Sequence, residues 1–129
     1  MRLLSRISRL AAVLIALGAG VSLGAAQRAR APYEADMQRL AEILGALHYL
    51  RAICGADEGQ TWRNEMQALV DAEAPGGDRR ERLIGSFNRG YRGFQQTYRT
   101  CTPAANLAIR RYLDEGAKIA RDITARYAN

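Results

Sequence analysis

The sequence is poor in the residue types that build metal centres and nucleophilic active sites. Its 129 residues include two cysteines and one histidine. Cys54 and Cys101 are 47 positions apart, so they form neither a CxxC redox pair nor a complete zinc site. No other cysteine and no pair of carboxylates stands at ligand spacing from His48. We therefore expect no metal, no cofactor and no catalytic residue.

Long hydrophobic runs are also missing. The uncharged run from Leu10 to Ala26, which ends in small residues, has 17 residues, whereas a membrane-spanning helix needs about 20. Arg2, Arg6 and Arg9 precede this run and small residues end it, which is the pattern of a cleavable export signal. We predict cleavage after Ala26, with cleavage after Ala31 as the alternative.

An exported chain of this kind is expected in the periplasm. No cysteine follows the uncharged run directly, which argues against a lipoprotein. An uncleaved membrane anchor is the alternative to cleavage. The predicted organisation is a signal peptide at residues 1–26, a flexible linker at 27–32 and one helical domain at 33–129. Cleavage would leave 103 residues, which suffice for a single core.

This domain has no strand-like alternation, low-complexity tract or strong internal repeat. Instead, apolar residues recur at helical spacing in four successive segments. The first segment begins near Tyr33 and stops at Gly55. Asp78 and Glu81 predict a capping box at the start of the third segment, and Pro103 opens the fourth. The predicted fold class is all-α, a small four-helix domain with one disulfide.

The third segment carries the clearest core-facing stripe. Four of its apolar positions are aromatic, and we expect these rings in the core rather than on a stacking surface. Its glycines each weaken the helix by about 1 kcal/mol relative to alanine, so either a neighbour approaches closely or the helix breaks near Gly90. Because the stripe keeps its phase across the glycines, we favour a continuous helix. The stripe consists of Ile84, Phe87, Tyr91, Phe94, Tyr98 and Cys101.

An oxidising compartment would join Cys54 to Cys101. The apolar stripe of the first segment precedes that of the third by a constant offset of 47 positions. Since a disulfide holds two Cα atoms within about 7 Å, we predict that the first and third helices are adjacent and parallel. The facing layers would be Met37 with Ile84, Leu40 with Phe87, Leu44 with Tyr91, Leu47 with Phe94, Arg51 with Tyr98 and Cys54 with Cys101.

Negative charge is absent from residues 82–113, which contain six arginines. The net charge of the whole chain is +6, and loss of the three arginines before the uncharged run lowers it to +3. The positive charge is therefore segregated. Opposite the apolar stripe of the third helix lies the arginine face, which we define as Arg82, Arg89, Arg92 and Arg99.

Guanidinium groups recognise phosphates and carboxylates through paired hydrogen bonds. The candidate anion-binding residues are Arg89, Arg92 and Arg99, with Arg110 and Arg111 of the fourth helix as further candidates. The anions of an envelope compartment are lipid headgroups, lipopolysaccharide phosphates, peptidoglycan carboxylates and acidic protein surfaces, and we expect no nucleic acid there. The predicted function is non-catalytic binding or envelope maintenance. The alternative interpretation is a solvated face that only keeps the domain soluble.

Two other function classes remain as alternatives. An enzyme acting on cell-wall material would need a cleft with converging polar groups, for example around His48, Arg51 and a carboxylate. A structural subunit of an envelope assembly would leave an apolar patch exposed after folding. Because most carboxylates stand at predicted helix ends, where they suit caps and the helix dipole, we expect a protein that is not an enzyme.

Three segments of the chain resemble a family of small exported bacterial envelope proteins that is known as a domain of unknown function. The resemblance covers nearly all of the mature chain. It implies a signal peptide, an envelope location and a cysteine pair, and it implies no activity, cofactor or catalytic residue. The segments are YEADMQRLAEILGALHYLRAICG, TWRNEMQALVDAE and, most specific of the three, SFNRGYRGFQQTYRTCTPAANLAIRRYLDEGAKIARDITARY.

Overall fold

Four helices make up the described part of the chain. The structure is a computed structural model that describes the backbone of residues 20–127 and the side chains of residues 32–126. Residues 20–127 contain no strand, so the predicted all-α class is confirmed. The helices are α1 (Gly20–Ile53), α2 (Thr61–Glu73), α3 (Gly77–Thr97) and α4 (Pro103–Tyr127).

Helix α1 begins earlier than the sequence pattern predicts. The expected start is near Tyr33, whereas the helix begins at Gly20 and includes Pro32. The chain divides into two units between Pro32 and Tyr33, and the second unit contains the packed core. Residues 1–19, which hold most of the predicted signal peptide, lie outside the described residues. Within the described range, no helix is long and apolar enough to cross a bilayer.

Helix α1 is the central helix of the second unit, because all three other helices pack against it. One core cluster joins α1 to α2 and α3, and it contains Met37, Ala41, Met66, Val70, Ala74, Leu83 and Phe87. A second core cluster joins α1 to α4, and it contains Ile43, Leu47, Leu50, Ala105 and Ile109. Burial on several sides of one helix is typical of a helix enclosed by its neighbours.

Helices α1 and α3 are adjacent and run in the same direction. Near the end of α1, the disulfide between Cys54 and Cys101 holds their Cα atoms 4.8 Å apart. At the other end, Nη2 of Arg79 lies 2.8 Å from Oε1 of Glu34. Since the contacts advance along both segments together, the predicted parallel arrangement and the predicted disulfide are confirmed.

The two backbones touch where α1 crosses α3. A Cβ atom added to Gly90 would overlap the carbonyl oxygen of Glu42, and one added to Gly45 would overlap the carbonyl oxygen of Phe87. Only glycine permits so close an approach. Helix α3 is continuous through Gly90, as predicted.

At least three of the predicted facing layers are wrong. Ile84 is 39% exposed, and Leu83, at 1% exposed, takes the core position beside Met37. Arg51 pairs with Glu58 in the loop before α2 rather than with the third helix. Ile84 is displaced because α3 turns Gly90 toward α1, which places Leu83 in the core. Leu40 lies beside Gly116 of α4 instead of facing α3.

Helices α2 and α4 both run antiparallel to α1. The end of α1 meets the start of α4 through Leu50 and Ala105, whereas Arg39, earlier in α1, pairs with Glu115, later in α4. Trp62, in the first turn of α2, packs with the same cluster as Leu50. The hydroxyl of Tyr33 donates to Glu73, the last residue of α2. The second helix therefore returns the chain between α1 and α3, as the parallel arrangement requires.

The helix caps agree with the sequence at α4 and disagree at α3. The backbone N–H of Ala105 donates to Oγ1 of Thr102 at 3.1 Å, in the manner of an N-cap before Pro103. At α3 the N-cap residue is Gly76, without a side-chain bond, so the predicted capping box is wrong. The carboxylates of Asp78 and Glu81 are consequently not used in capping.

Candidate functional site

The arginine face runs along the outer side of α3. Arg82, Arg89 and Arg92 are exposed, and at 100° per residue they lie within an arc of about 80°. With a rise of about 1.5 Å per residue, the row is about 15 Å long. Arg99 is exposed as well and follows the end of the helix, two positions before Cys101.

The arginines of residues 82–111 form no ion pairs with carboxylates among the described residues, unlike the arginines at the helix contacts. Arg39, Arg51, Arg79 and Arg80 each form an ion pair with a carboxylate. By contrast, no described carboxylate pairs with any of the six arginines from Arg82 to Arg111. The first group stabilises contacts within the fold, and the second group keeps its charge available to solvent.

Arg89 is the most constrained residue of the arginine face. Its Nη2 donates to Oγ of Ser86 at 2.8 Å, and Ser86 is fully buried. The Ser86 hydroxyl in turn donates to the carbonyl oxygen of Arg82 at 3.0 Å. The side chain lies back along α3 over Gly85, which has no side chain to obstruct it. This arrangement directs the guanidinium of Arg89 toward Arg82.

The structure separates the two candidates on α4. Arg111 lines a depression of about 460 Å³ together with Phe94 and Tyr98, so it lies on the α3 side of the molecule. Arg110 is 100° further around α4 and does not line that depression. Both arginines are exposed. Arg111 therefore lies near the end of α3, beside Phe94 and Tyr98, and Arg110 lies outside that depression.

Residues 32–127 match the model of a family described as "Protein of unknown function (DUF2385)". The chain belongs to the DUF2385 family. No curated protein and no solved structure matches the chain. The predicted resemblance to a domain of unknown function is confirmed over the whole helical domain, and it assigns no site residue.

The DUF2385 domain also has an apolar groove that was not predicted from the sequence. The groove is about 530 Å³, lies between α2 and α4 and has α1 as its floor. The apolar periodicity predicted Leu40 and Leu44 as core positions of the first helix, and it could not show that the space between α2 and α4 stays open. Such open apolar surface is what the structural-subunit alternative expects. The lining includes Leu40, Leu44, Trp62, Leu69, Leu113, Gly116 and Ala120.

The converging polar cleft that an enzyme would need is not formed around His48. Its ring packs against Phe87 and Tyr91, with ring centroids 5.9 and 5.6 Å away, whereas Arg51 points to Glu58. The buried Nδ1 of His48 has no hydrogen-bond partner among the described residues. Residues 20–127 also contain no group of acidic, histidine or cysteine residues that could hold a metal ion.

His48 makes the stability of the DUF2385 domain depend on pH. Burial, and secondarily the positive charge of Arg63, lowers the pKa of His48 below its ordinary value of 6.5. The unfolded chain therefore takes up the proton at a higher pH than the folded domain does. The stability that the neutral ring supplies is fully present above pH 6.5 and is lost as the pH falls through the lower, folded-state pKa.

We expect the free energy of unfolding to decrease between pH 7 and pH 5, measured by urea denaturation at each pH. His48→Phe keeps an aromatic ring against Phe87 and Tyr91 but cannot be protonated, so its stability should change less over the same interval. An equal decrease in the variant would show that His48 is not the group responsible.

Proposed function

We propose that this DUF2385 protein is a non-catalytic periplasmic domain that docks onto anionic lipid headgroups of the cell envelope through its arginine face. The observation that carries the proposal is that exposed arginines without an ion pair to a described carboxylate lie in one row along α3. Four arginines stabilise helix contacts through ion pairs, whereas the row on α3 has no described carboxylate to neutralise it. A row of guanidinium groups that form no ion pair within the fold is an attractive surface for phosphates.

A membrane surface suits this row better than the other envelope anions do. The arginines lie on one straight helix over about 15 Å, and such a row can touch a planar array of phosphates all at once. A protein or glycan partner would be held better by a deep cleft, whereas the row borders only a shallow pocket, at Arg82 and Arg89. Each basic residue close to an anionic bilayer contributes about 1 kcal/mol of binding.

The test is binding to vesicles that contain phosphatidylglycerol in a phosphatidylcholine background. We expect the triple variant Arg89→Gln, Arg92→Gln, Arg99→Gln to bind about 100-fold more weakly than the unmodified domain, because three contributions of about 1 kcal/mol are lost. Co-sedimentation with the vesicles measures the affinity, and circular dichroism checks that the variant is folded.

The matched control removes the same charge from elsewhere on the surface. Arg63, Arg121 and Arg126 are exposed, lie on α2 and α4 and do not belong to the arginine face. Their triple change to glutamine should lower the affinity less than about threefold. If both triple variants lost affinity equally, binding would depend only on net charge, and the proposed role of the arginine face would be wrong.

A further inference from the structure

A shallow pocket at the start of the arginine face contains charges of both signs. It is about 520 Å³ and lies along α3, with one residue from α1 at its edge. Two guanidinium groups, two carboxylates and one amide surround the same space. The residues that line it are Gln38, Asp78, Glu81, Arg82, Gly85 and Arg89.

The charges around this pocket do not neutralise each other directly. Among the described residues, Asp78 and Glu81 form no ion pair or hydrogen bond with Arg82 or Arg89. The carboxylates are free because α3 is capped at Gly76 without them. The Arg89 guanidinium is held in place by the buried hydroxyl of Ser86. The pocket thus offers separate positive and negative groups to one ligand.

Each simpler ligand class leaves part of this arrangement unmatched. A purely anionic group would be attracted by the two arginines and repelled by Asp78 and Glu81. An uncharged group would leave all four charges without a partner. A ligand with a phosphate and a nearby primary ammonium satisfies both sets, since guanidinium groups pair with phosphate and carboxylates accept hydrogen bonds from an ammonium.

We propose that this pocket binds the zwitterionic headgroup of an aminophospholipid, with the phosphate on Arg82 and Arg89 and the ammonium on Asp78 and Glu81. The inference rests on the proposed function, because it specifies which headgroup one end of the arginine face receives. The ammonium must keep its N–H groups to donate to the carboxylates. A trimethylated headgroup of the same charge has no N–H and is the discriminating comparison.

The experiment compares net-neutral vesicles of phosphatidylcholine alone with vesicles in which part of it is replaced by phosphatidylethanolamine. The domain should bind the second kind about fivefold more tightly, the size expected of one exposed ion pair. The double variant Asp78→Asn, Glu81→Gln should lose this preference. It should bind phosphatidylglycerol vesicles at least as well as the unmodified domain, because two negative charges are removed.

The control variant Glu65→Gln, Asp114→Asn removes two exposed carboxylates that lie outside the pocket, and it should keep the preference. Equal binding to both net-neutral vesicles would overturn the inference, as would a preference that survives in the Asp78 and Glu81 variant, since bilayer packing would then be the cause. If the unmodified domain preferred phosphatidylethanolamine but did not bind phosphatidylglycerol vesicles, that result would instead contradict the proposed function.

A second experiment, with water-soluble ligands, distinguishes a lipid from a free metabolite that carries the same headgroup. Phosphoethanolamine and phosphocholine are titrated separately into the full chain by calorimetry. We expect phosphoethanolamine to bind more weakly than vesicles that display the same group many times. Binding of free phosphoethanolamine without any preference for phosphatidylethanolamine vesicles would overturn the assignment of a membrane ligand.

Discussion

Replacing Gly90 with alanine is expected to destabilise the domain by about 3 kcal/mol or more, because the new methyl group would overlap the carbonyl oxygen of Glu42. The obstructing atom belongs to the backbone of α1, so it can be relieved only by moving one helix away from the other. Alanine favours the helix by about 1 kcal/mol over glycine, which offsets only part of the cost. Thermal unfolding followed by circular dichroism should show a midpoint lower by at least about 10 °C.

Gly93 provides a matched control on the same helix. No atom lies within 4 Å of a Cβ built on Gly93, so Gly93→Ala should gain the helix-propensity term without a clash. We expect this variant to be more stable by about 0.5–1 kcal/mol. If Gly90→Ala were as stable as Gly93→Ala, the close crossing of α1 and α3 would be wrong.

Removal of the disulfide is expected to cause the second large loss of stability. Changing both Cys54 and Cys101 to serine should lower the free energy of unfolding by about 2–4 kcal/mol, since the bridge restricts the unfolded chain over a separation of 47 residues. Cys101 is exposed and Cys54 is half-buried, so serine adds little burial cost of its own. Urea denaturation of the variant and of the oxidised protein measures the difference.

The reduced protein with its native cysteines serves as the control for the serine changes. It should unfold at the same urea concentration as the double serine variant, and both should unfold well below the oxidised protein. Equal midpoints for the reduced and oxidised forms would mean that the bridge does not stabilise the fold. The packing of α1 against α3 alone would then have to account for the stability of this part of the fold.

The sequence was sufficient to predict the relation between α1 and α3. The constant offset between their stripes, together with the two cysteines, predicted adjacent parallel helices, and the disulfide and the contacts of Arg79 confirm this. The start of α4 was also predictable, because Thr102 followed by Pro103 is a local signal that depends on neighbouring residues only.

Features that depend on helix rotation were not predictable from the pattern. Leu83 and Ile84 are adjacent and both apolar, so periodicity alone could not tell which one faces the core. The glycine contact at Gly90 decides between them by turning α3. The same limit applies to Asp78 and Glu81, whose spacing fits a capping box although Gly76 occupies the cap.

The arginine face was predicted as a set of residues but not as a set of contacts. The absence of acidic residues in the sequence near Arg89 and Arg92 indicated a free cationic row on one helix. The hydrogen bond from Arg89 to Ser86 required the structure, because a buried serine inside a helix has no distinctive sequence signal. The division of Arg110 from Arg111 likewise follows from the position of α4 beside α3.

The central claim, that the arginine face is the surface that binds, is tested most directly by measuring vesicle affinity at two salt concentrations. The unmodified domain and the control triple variant are compared with the Arg89, Arg92 and Arg99 triple variant on phosphatidylglycerol vesicles. Between about 0.05 and about 0.5 M salt, screening should abolish most of the affinity of the first two and change the third little. A salt dependence equally steep in all three proteins would contradict the claim.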